Sequence, residues 1–140
     1  MTINERQDEI IEEFESFEDW TERYQLLVDY GKELKKYPLP PSDQTESNLI
    51  DGCQSKVWIT ASLQDGKIYF KGESDALLVK GIVALLIYVL NGSTPKEILD
   101  ADLYFMQRIG LQEHLSPTRS NGVVAMLKQM RLYALAYQAK

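Results

Sequence analysis

The chain has 140 residues, which is within the usual size of one domain and long enough to bury a core without disulfides or a structural metal. Hydrophobic residues make up 44% and charged residues 26%, and the formal net charge of -6 argues against a surface built for nucleic acid. The first residues contain no basic segment followed by an apolar run, so we expect no secretory signal and a cytoplasmic location.

Two amphipathic helices are predicted in the first 36 residues. Thr2 and Glu5 have the spacing of a capping box, and an acidic helix with one apolar stripe follows them. That stripe consists of Ile10, Ile11 and Phe14. The second helix is predicted to have Ser16 as its N-cap and to end near Lys36. Its apolar face recurs at spacings of four, three, four and three residues, at Trp20, Tyr24, Leu27, Gly31 and Leu34.

A β-hairpin is predicted after a proline-rich connector over residues 37–49. Apolar and polar residues alternate from Val57, which is typical of a half-buried strand, and Asp65-Gly66 supplies the turn. Residues 68–70 form the returning strand. The sheet is therefore antiparallel and at least two strands wide, with residues 47–50 as a candidate third strand.

Residues 75–91 are apolar nearly all round, which indicates a buried central helix that stops at Asn91-Gly92. A membrane span is the poorer interpretation, because the stretch contains Lys80 and is shorter than the ~20 residues that a bilayer requires.

The remaining residues are predicted to be helical. Short amphipathic pieces fill residues 95–115, and Ser116-Pro117 is typical of an N-cap followed by proline at the first helical position. The last helix has a stripe at spacings of four, three, four and three residues, at Val123, Leu127, Met130, Ala134 and Tyr137. Helices on both sides of one hairpin favour a single α+β domain over residues 1–140, with helices packed on an antiparallel sheet.

Cys53 is the only cysteine, so the chain by itself forms no internal disulfide, no CxxC redox pair and no thiolate-rich metal site. It directly follows Gly52 and precedes the first strand, which places its thiol in a tight turn where a partner could reach it. Because a free cysteine is also a common buried packing residue, the position alone leaves an inert and a reactive thiol both open.

The segment around Cys53 is Gly52-Cys53-Gln54-Ser55-Lys56-Val57-Trp58. It resembles the signature of the SufE family of sulfur acceptors. Further matches follow in order along the chain: Trp20, Arg23-Tyr24, Gly31-Lys32, Asn48, Ser74-Asp75-Ala76, Val79-Lys80-Gly81 and residues 116–122.

The resemblance implies an α+β fold similar to that of iron-sulfur scaffold proteins, and a sulfur-transfer accessory protein rather than an independent enzyme. Cys53 would accept persulfide sulfur from a SufS-type cysteine desulfurase, stimulate that enzyme and pass the sulfur toward a downstream iron-sulfur scaffold. The chain would hold no cofactor, because the pyridoxal phosphate belongs to the desulfurase.

Five further residues are candidates for partner binding or for positioning the Cys53 loop. They are Gly52, Gln54, Ser55, Asp75 and Arg119. For Asp75 the simpler interpretation is capping of the central helix, and for Arg119 a structural or solvated role is equally open. The lone His114 is interpreted as a surface or packing residue and not as a base.

Three alternatives stay open at this stage. The chain could be a noncatalytic adaptor of the desulfurase, an acceptor for a related desulfurase outside the Suf pathway, or a cluster scaffold, which would require chains to pair because one thiol is too few. The oligomeric state is open, with a homodimer as one option. We expect no metal site, and we expect neither nucleic acid nor a membrane to be a binding partner.

Overall fold

Helices surround one β-hairpin in the computed structural model, which describes residues 1–50, 55–115 and 117–139 apart from the side chains of residues 112 and 117–119. The helices are α1 (Ile3–Glu15), α2 (Trp20–Gly31), α3 (Leu77–Leu90), α4 (Pro95–Asp100), α5 (Phe105–Arg108), α6 (Leu111–His114) and α7 (Pro117–Gln138). The strands are β1 (Val57–Gln64) and β2 (Lys67–Ser74). Short 3-10 turns occupy Lys32–Lys36, Pro41–Asp43 and Glu46–Asn48. The predicted α+β class is confirmed.

The first helix begins as the sequence predicts. The Thr2 amide donates to Glu5 Oε1 at 2.9 Å, and the Glu5 amide donates to Thr2 Oγ1 at 3.1 Å, so the capping box is complete. The apolar stripe is buried, and Ile10 and Phe14 lie in the core.

The predicted N-cap of the second helix is wrong. Ser16 lies at the C-terminal end of α1, where its hydroxyl donates to the carbonyl of Glu13 at 2.6 Å. Asp19 is the N-cap of α2, because it directly precedes the first turn and its Oδ1 accepts from the amide of Thr21 at 2.9 Å. The helical segment ends at Lys36 as expected, although its last turn has 3-10 geometry.

The hairpin has the predicted strands and turn. Its antiparallel register runs from Val57 opposite Ser74 to Gln64 opposite Lys67. The predicted third strand is wrong: in the described part of the chain the sheet has two strands, and Leu49 forms only an isolated bridge to Trp58. The 3-10 turn that ends at Asn48 leaves too little extended chain before this bridge for a strand.

Helix α3 is the centre of the core. Most of its side chains are buried, and it packs against α2 and β2. It ends at Leu90, and its C-cap Asn91 is followed by Gly92 with a φ of 73°, which confirms the predicted stop. Within the described residues, no helix is both long and apolar enough to cross a bilayer.

Helix α7 lies along β1. Met130 and Ala134 of the predicted stripe are fully buried. The hydroxyl of Tyr133 donates to the carbonyl of Ile59 at 3.0 Å, and that of Tyr137 donates to the carbonyl of Ala61 at 2.9 Å. Side-chain hydrogen bonds therefore join α7 to the backbone of β1.

Helices α2 and α3 approach so closely that Gly81 leaves no space for a side chain. A Cβ atom there would lie 2.1 Å from the carbonyl oxygen of Leu27. We expect Gly81→Ala to lower the free energy of unfolding by about 3 kcal/mol, because the two backbones must separate. Urea unfolding followed by circular dichroism measures the loss.

Gly31→Ala is the matched control, because the Cβ atom at Gly31 would lie 3.1 Å from the Cβ of Lys80, a contact that a small shift relieves. Its loss of stability should be clearly smaller. Equal losses for the two variants would contradict the close packing at Gly81.

Stability at high pH should depend on Tyr30. Burial, followed by the hydrogen bond that its hydroxyl donates to the Glu13 carboxylate, raises the pKa of Tyr30 well above its ordinary value. The folded state thus favours the neutral phenol, and this contribution is fully present below the unfolded pKa of about 10 and is lost as the pH rises further.

We expect Tyr30→Phe to cost about 1 kcal/mol at pH 8, where the hydrogen bond is intact. The ring stack of Tyr30 on Phe14, with centroids 6.0 Å apart, remains in this variant. Because phenylalanine does not ionise, the difference between wild type and variant should shrink by pH 11. Urea unfolding at both pH values checks this, and an unchanged difference would rule out the titration.

Candidate functional site

The segment that carries Cys53 connects two described stretches that pair with each other. Before it, the amide of the buried Ile50 donates to the carbonyl of Val57 at 2.8 Å. One residue further out on each side, Leu49 and Trp58 form their antiparallel bridge. Main-chain pairing therefore holds the described residues on the two sides of the cysteine segment next to each other. Residues 51–54 lie outside the described residues, so the predictions for Gly52, Cys53 and Gln54 stay predictions.

The main chain of Lys56, three residues after Cys53, is held by three hydrogen bonds. Its amide donates to Asp75 Oδ1 at 3.0 Å. Its carbonyl accepts from the hydroxyl of Ser74 at 2.9 Å and from the amide of Asp75 at 3.2 Å. We call this arrangement of Lys56, Ser74 and Asp75 the Lys56 clamp. It fixes the end of the cysteine segment to the end of β2.

Ser74 connects the Lys56 clamp to α3. Its side chain is only 3% exposed, and its hydroxyl accepts from the amide of Ala76 at 3.2 Å while it donates to Lys56. Both hydrogen-bonding functions of this buried hydroxyl are thus satisfied. The sequence placed Ser74 within a family motif but assigned it no role, because a serine in a strand gives no signal of a long-range partner.

The simpler interpretation of Asp75, as the cap of the central helix, is wrong. Ala76 occupies the N-cap position of α3, and no side-chain hydrogen bond caps it among the described residues. The carboxylate of Asp75 instead accepts a hydrogen bond from the amide of Lys56, across the open end of the hairpin. A hydrogen bond between a carboxylate and a main-chain amide is charge-assisted and strong, which suits the loop-positioning role predicted for Asp75.

The structure describes less of the surroundings of the other two candidates, Ser55 and Arg119. Ser55 is half-buried directly before the Lys56 clamp. The side chain of Arg119 lies outside the described residues, so its predicted role at the loop stays a prediction. Leu77 was not singled out from the sequence, yet it is 64% exposed, two residues after Asp75. Its exposure had no sequence signal, because it begins an otherwise buried apolar helix.

Trp20 and Arg23 lie in a packing cluster with His114. The indole and imidazole rings stack with centroids 3.6 Å apart and planes at 15°, and the guanidinium carbon of Arg23 lies 5.4 Å from the indole ring centre. Arg23 Nε also donates to the carbonyl of Phe17 at 2.7 Å. This cluster holds α2 against α6. In the described part of the chain, no group of three or more histidine, cysteine, aspartate or glutamate residues could hold a metal ion.

Comparison with known proteins identifies the family. The family model described as SufE, Fe-S metabolism associated domain, matches residues 8–134. The chain belongs to the SufE family. An uncharacterized SufE-like protein of Synechocystis sp. is 45% identical over 129 residues, which cover 92% of this chain and 80% of that protein. This SufE-family chain thus acts in sulfur transfer within iron-sulfur metabolism, and its family implies a cysteine desulfurase as partner.

A solved structure supports the fold of this SufE-family chain. The solution structure of a hypothetical protein from Thermus thermophilus aligns with a TM-score of 0.76 at 26% sequence identity. The alignment covers 96% of this chain and 97% of that one. The arrangement of helices around the hairpin is therefore shared over nearly the whole length of both chains.

The Lys56 clamp makes a prediction for Asp75→Ala. The Lys56 amide loses its acceptor, so we expect its hydrogen exchange to accelerate about tenfold, as the loss of one hydrogen bond implies. Exchange followed by NMR measures this at the single amide. Asp75→Asn should restore slow exchange, because its Oδ1 can still accept.

Asp100→Ala is the matched control, because Asp100 is exposed at the end of α4 and well separated in sequence from the clamp. It should leave the exchange of the Lys56 amide unchanged. Equal acceleration in Asp75→Ala and Asp100→Ala would show that Asp75 has no specific hold on the cysteine segment.

Proposed function

We propose that Cys53 accepts sulfane sulfur from a SufS-type cysteine desulfurase, stimulates that enzyme, and carries the sulfur as a persulfide toward iron-sulfur cluster assembly. The observation that carries this proposal is the position of the only cysteine. It lies within the family motif, on a segment whose end is held by Lys56, Ser74 and Asp75.

The transfer is a thiol exchange that needs no outside oxidant. The thiolate of Cys53 attacks the terminal sulfur of the persulfide on the desulfurase cysteine. A sulfur-sulfur bond forms on Cys53 while the sulfur-sulfur bond on the desulfurase breaks, and the desulfurase thiolate leaves and takes up a proton. The transferred sulfur keeps its oxidation state, so one persulfide is lost, one is formed, and there is no net redox change.

The anchored ends of the segment suit this reaction. The attacking thiolate must reach the persulfide of another protein, and transfer is fastest where access is free and the geometry is already set. Ile50 and Lys56 are already fixed to the fold by hydrogen bonds, so docking loses no entropy for ordering these two residues.

The chain needs no cofactor of its own for this role. Pyridoxal phosphate on the desulfurase liberates the sulfur from cysteine, and Cys53 supplies only a nucleophile. We place the reaction in the cytosol, where thiols are kept reduced and a lone cysteine remains available as a thiolate. The recipient of the sulfur is an iron-sulfur scaffold downstream.

The experiment mixes the purified protein with a cognate SufS-type desulfurase holoenzyme and cysteine, without reductant. Intact mass spectrometry should show an addition of about 32 Da per sulfur atom on the wild type, as persulfide exchange requires. Cys53→Ser should show no addition, and it should no longer stimulate release of sulfide by the desulfurase.

Two outcomes would contradict the proposal. Wild-type protein that binds the desulfurase without gaining sulfur is not an acceptor. A Cys53→Ser variant that stimulates the desulfurase as well as wild type would make the chain a noncatalytic adaptor. Matching circular dichroism spectra of wild type and Cys53→Ser ensure that the comparison concerns the thiol and not the fold.

A further inference from the structure

A groove of about 500 Å³ lies beside the Lys56 clamp, between α2 with its 3-10 extension and the start of α3. The residues that matter here are three apolar side chains and three lysines: Val28, Pro38, Leu77, Lys32, Lys35 and Lys80. Leu77 follows Asp75 by two residues, so the groove adjoins the point where the cysteine segment is fixed.

The groove is locally basic on an acidic protein. The chain carries a net charge of -6, yet three lysines and one glutamate line this groove. Lys80 Nζ lies 3.5 Å from Glu73 Oε1, which balances one of the lysines. Lys32 pairs with Asp29 at 3.5 Å but its side chain remains 71% exposed, so water screens that pair strongly. Within the described residues, Lys35 has no carboxylate within ion-pair distance.

Leu77 gives the groove an apolar contact point. It is 64% exposed although it belongs to α3, a helix whose other side chains are mostly buried. Burial of a large exposed apolar side chain by a partner lowers the free energy of the complex. Protein interfaces typically place such a side chain near the centre, with complementary charges around it.

We propose that this groove is the docking surface for the cysteine desulfurase, which contributes an acidic segment carrying an apolar side chain that packs on Leu77. This inference rests on the proposed function and names the surface through which it works. Docking beside the Lys56 clamp brings the partner to the end of the cysteine segment. A second copy of this chain fits the groove poorly, because a twofold contact would set its lysines against one another.

Leu77→Glu tests the apolar contact. The change is compatible with folding, because the position is exposed and a carboxylate in the first turn of a helix interacts favourably with the helix dipole. It places a negative charge where we expect the acidic segment to bind. We therefore expect a rise of about tenfold or more in the dissociation constant for the desulfurase holoenzyme, measured by calorimetry.

Val124→Glu is the matched control, because Val124 is 60% exposed on α7, in a second apolar groove that Leu132 and Lys128 also line. It should bind the desulfurase like wild type. The rate at which a small alkylating reagent modifies Cys53 should be equal in wild type, Leu77→Glu and Val124→Glu, since docking and not thiol reactivity is changed.

The charge contribution has its own matched pair of variants. Lys32→Gln with Lys35→Gln removes two positive charges from the groove, and Lys96→Gln with Lys128→Gln removes two from elsewhere on the surface. The variant with Lys32→Gln and Lys35→Gln should bind more weakly, and its dissociation constant should change less with salt concentration, because salt screens the charges that face the partner. The variant with Lys96→Gln and Lys128→Gln should show neither effect.

The outcomes separate this inference from the acceptor function. If wild type gains no sulfur but Leu77→Glu loses binding, the docking surface is supported and the acceptor role is contradicted. If wild type gains sulfur and Leu77→Glu binds equally well, only the docking surface is contradicted, and the acceptor role is supported. Loss of binding in Val124→Glu instead would move docking to α7. A wild-type dimer in light scattering that Leu77→Glu dissociates would assign the groove to a second copy and overturn the inference.

Discussion

The burial of α3 is the constraint on which the rest of the structure depends. A helix enclosed on nearly all sides must satisfy its terminal backbone groups with protein partners, because water does not reach them freely. At its C-terminal end the guanidinium of Arg6 donates to the carbonyl of Val89 at 3.0 Å and to that of Asn91 at 2.8 Å. Asn91 Oδ1 in turn accepts from the amide of Phe70 at 2.6 Å. The helix that fills the core is thereby joined to α1 and to β2.

The opposite end of α3 links the core to the functional site. The residues that lead into the helix are the same ones that hold the cysteine segment: the Ser74 hydroxyl accepts from Ala76 and donates to Lys56, and Asp75 binds the Lys56 amide. The described end of the segment, at Lys56, is thus tied to the residues that lead into the buried helix. The acceptor role proposed above would benefit from such support, since residues that are already fixed lose less entropy on docking.

Charge is distributed unevenly over this acidic chain. Helix α1 presents carboxylates to solvent, and three tyrosine hydroxyls donate to three of them: Tyr30 to Glu13, Tyr88 to Glu9 and Tyr104 to Asp8. Three of the ten lysines, Lys32, Lys35 and Lys80, instead line the groove that contains Leu77. For the docking proposed above, such a local excess of lysines on an acidic protein would orient an acidic partner before contact and speed association.

Features that depend on residues a few positions apart could be predicted from the amino-acid pattern. The capping box of Thr2 and Glu5, the Asp65-Gly66 turn and the apolar periods of the helices are local, so composition and spacing were sufficient to predict them. The motif around Cys53 likewise identified the family. Two features became visible only in the folded chain: Asp75 binds Lys56 across 19 residues rather than capping α3, and Leu77 is exposed at the start of a buried helix. Such contacts depend on which elements pack side by side, and a linear pattern of residue types does not contain that information.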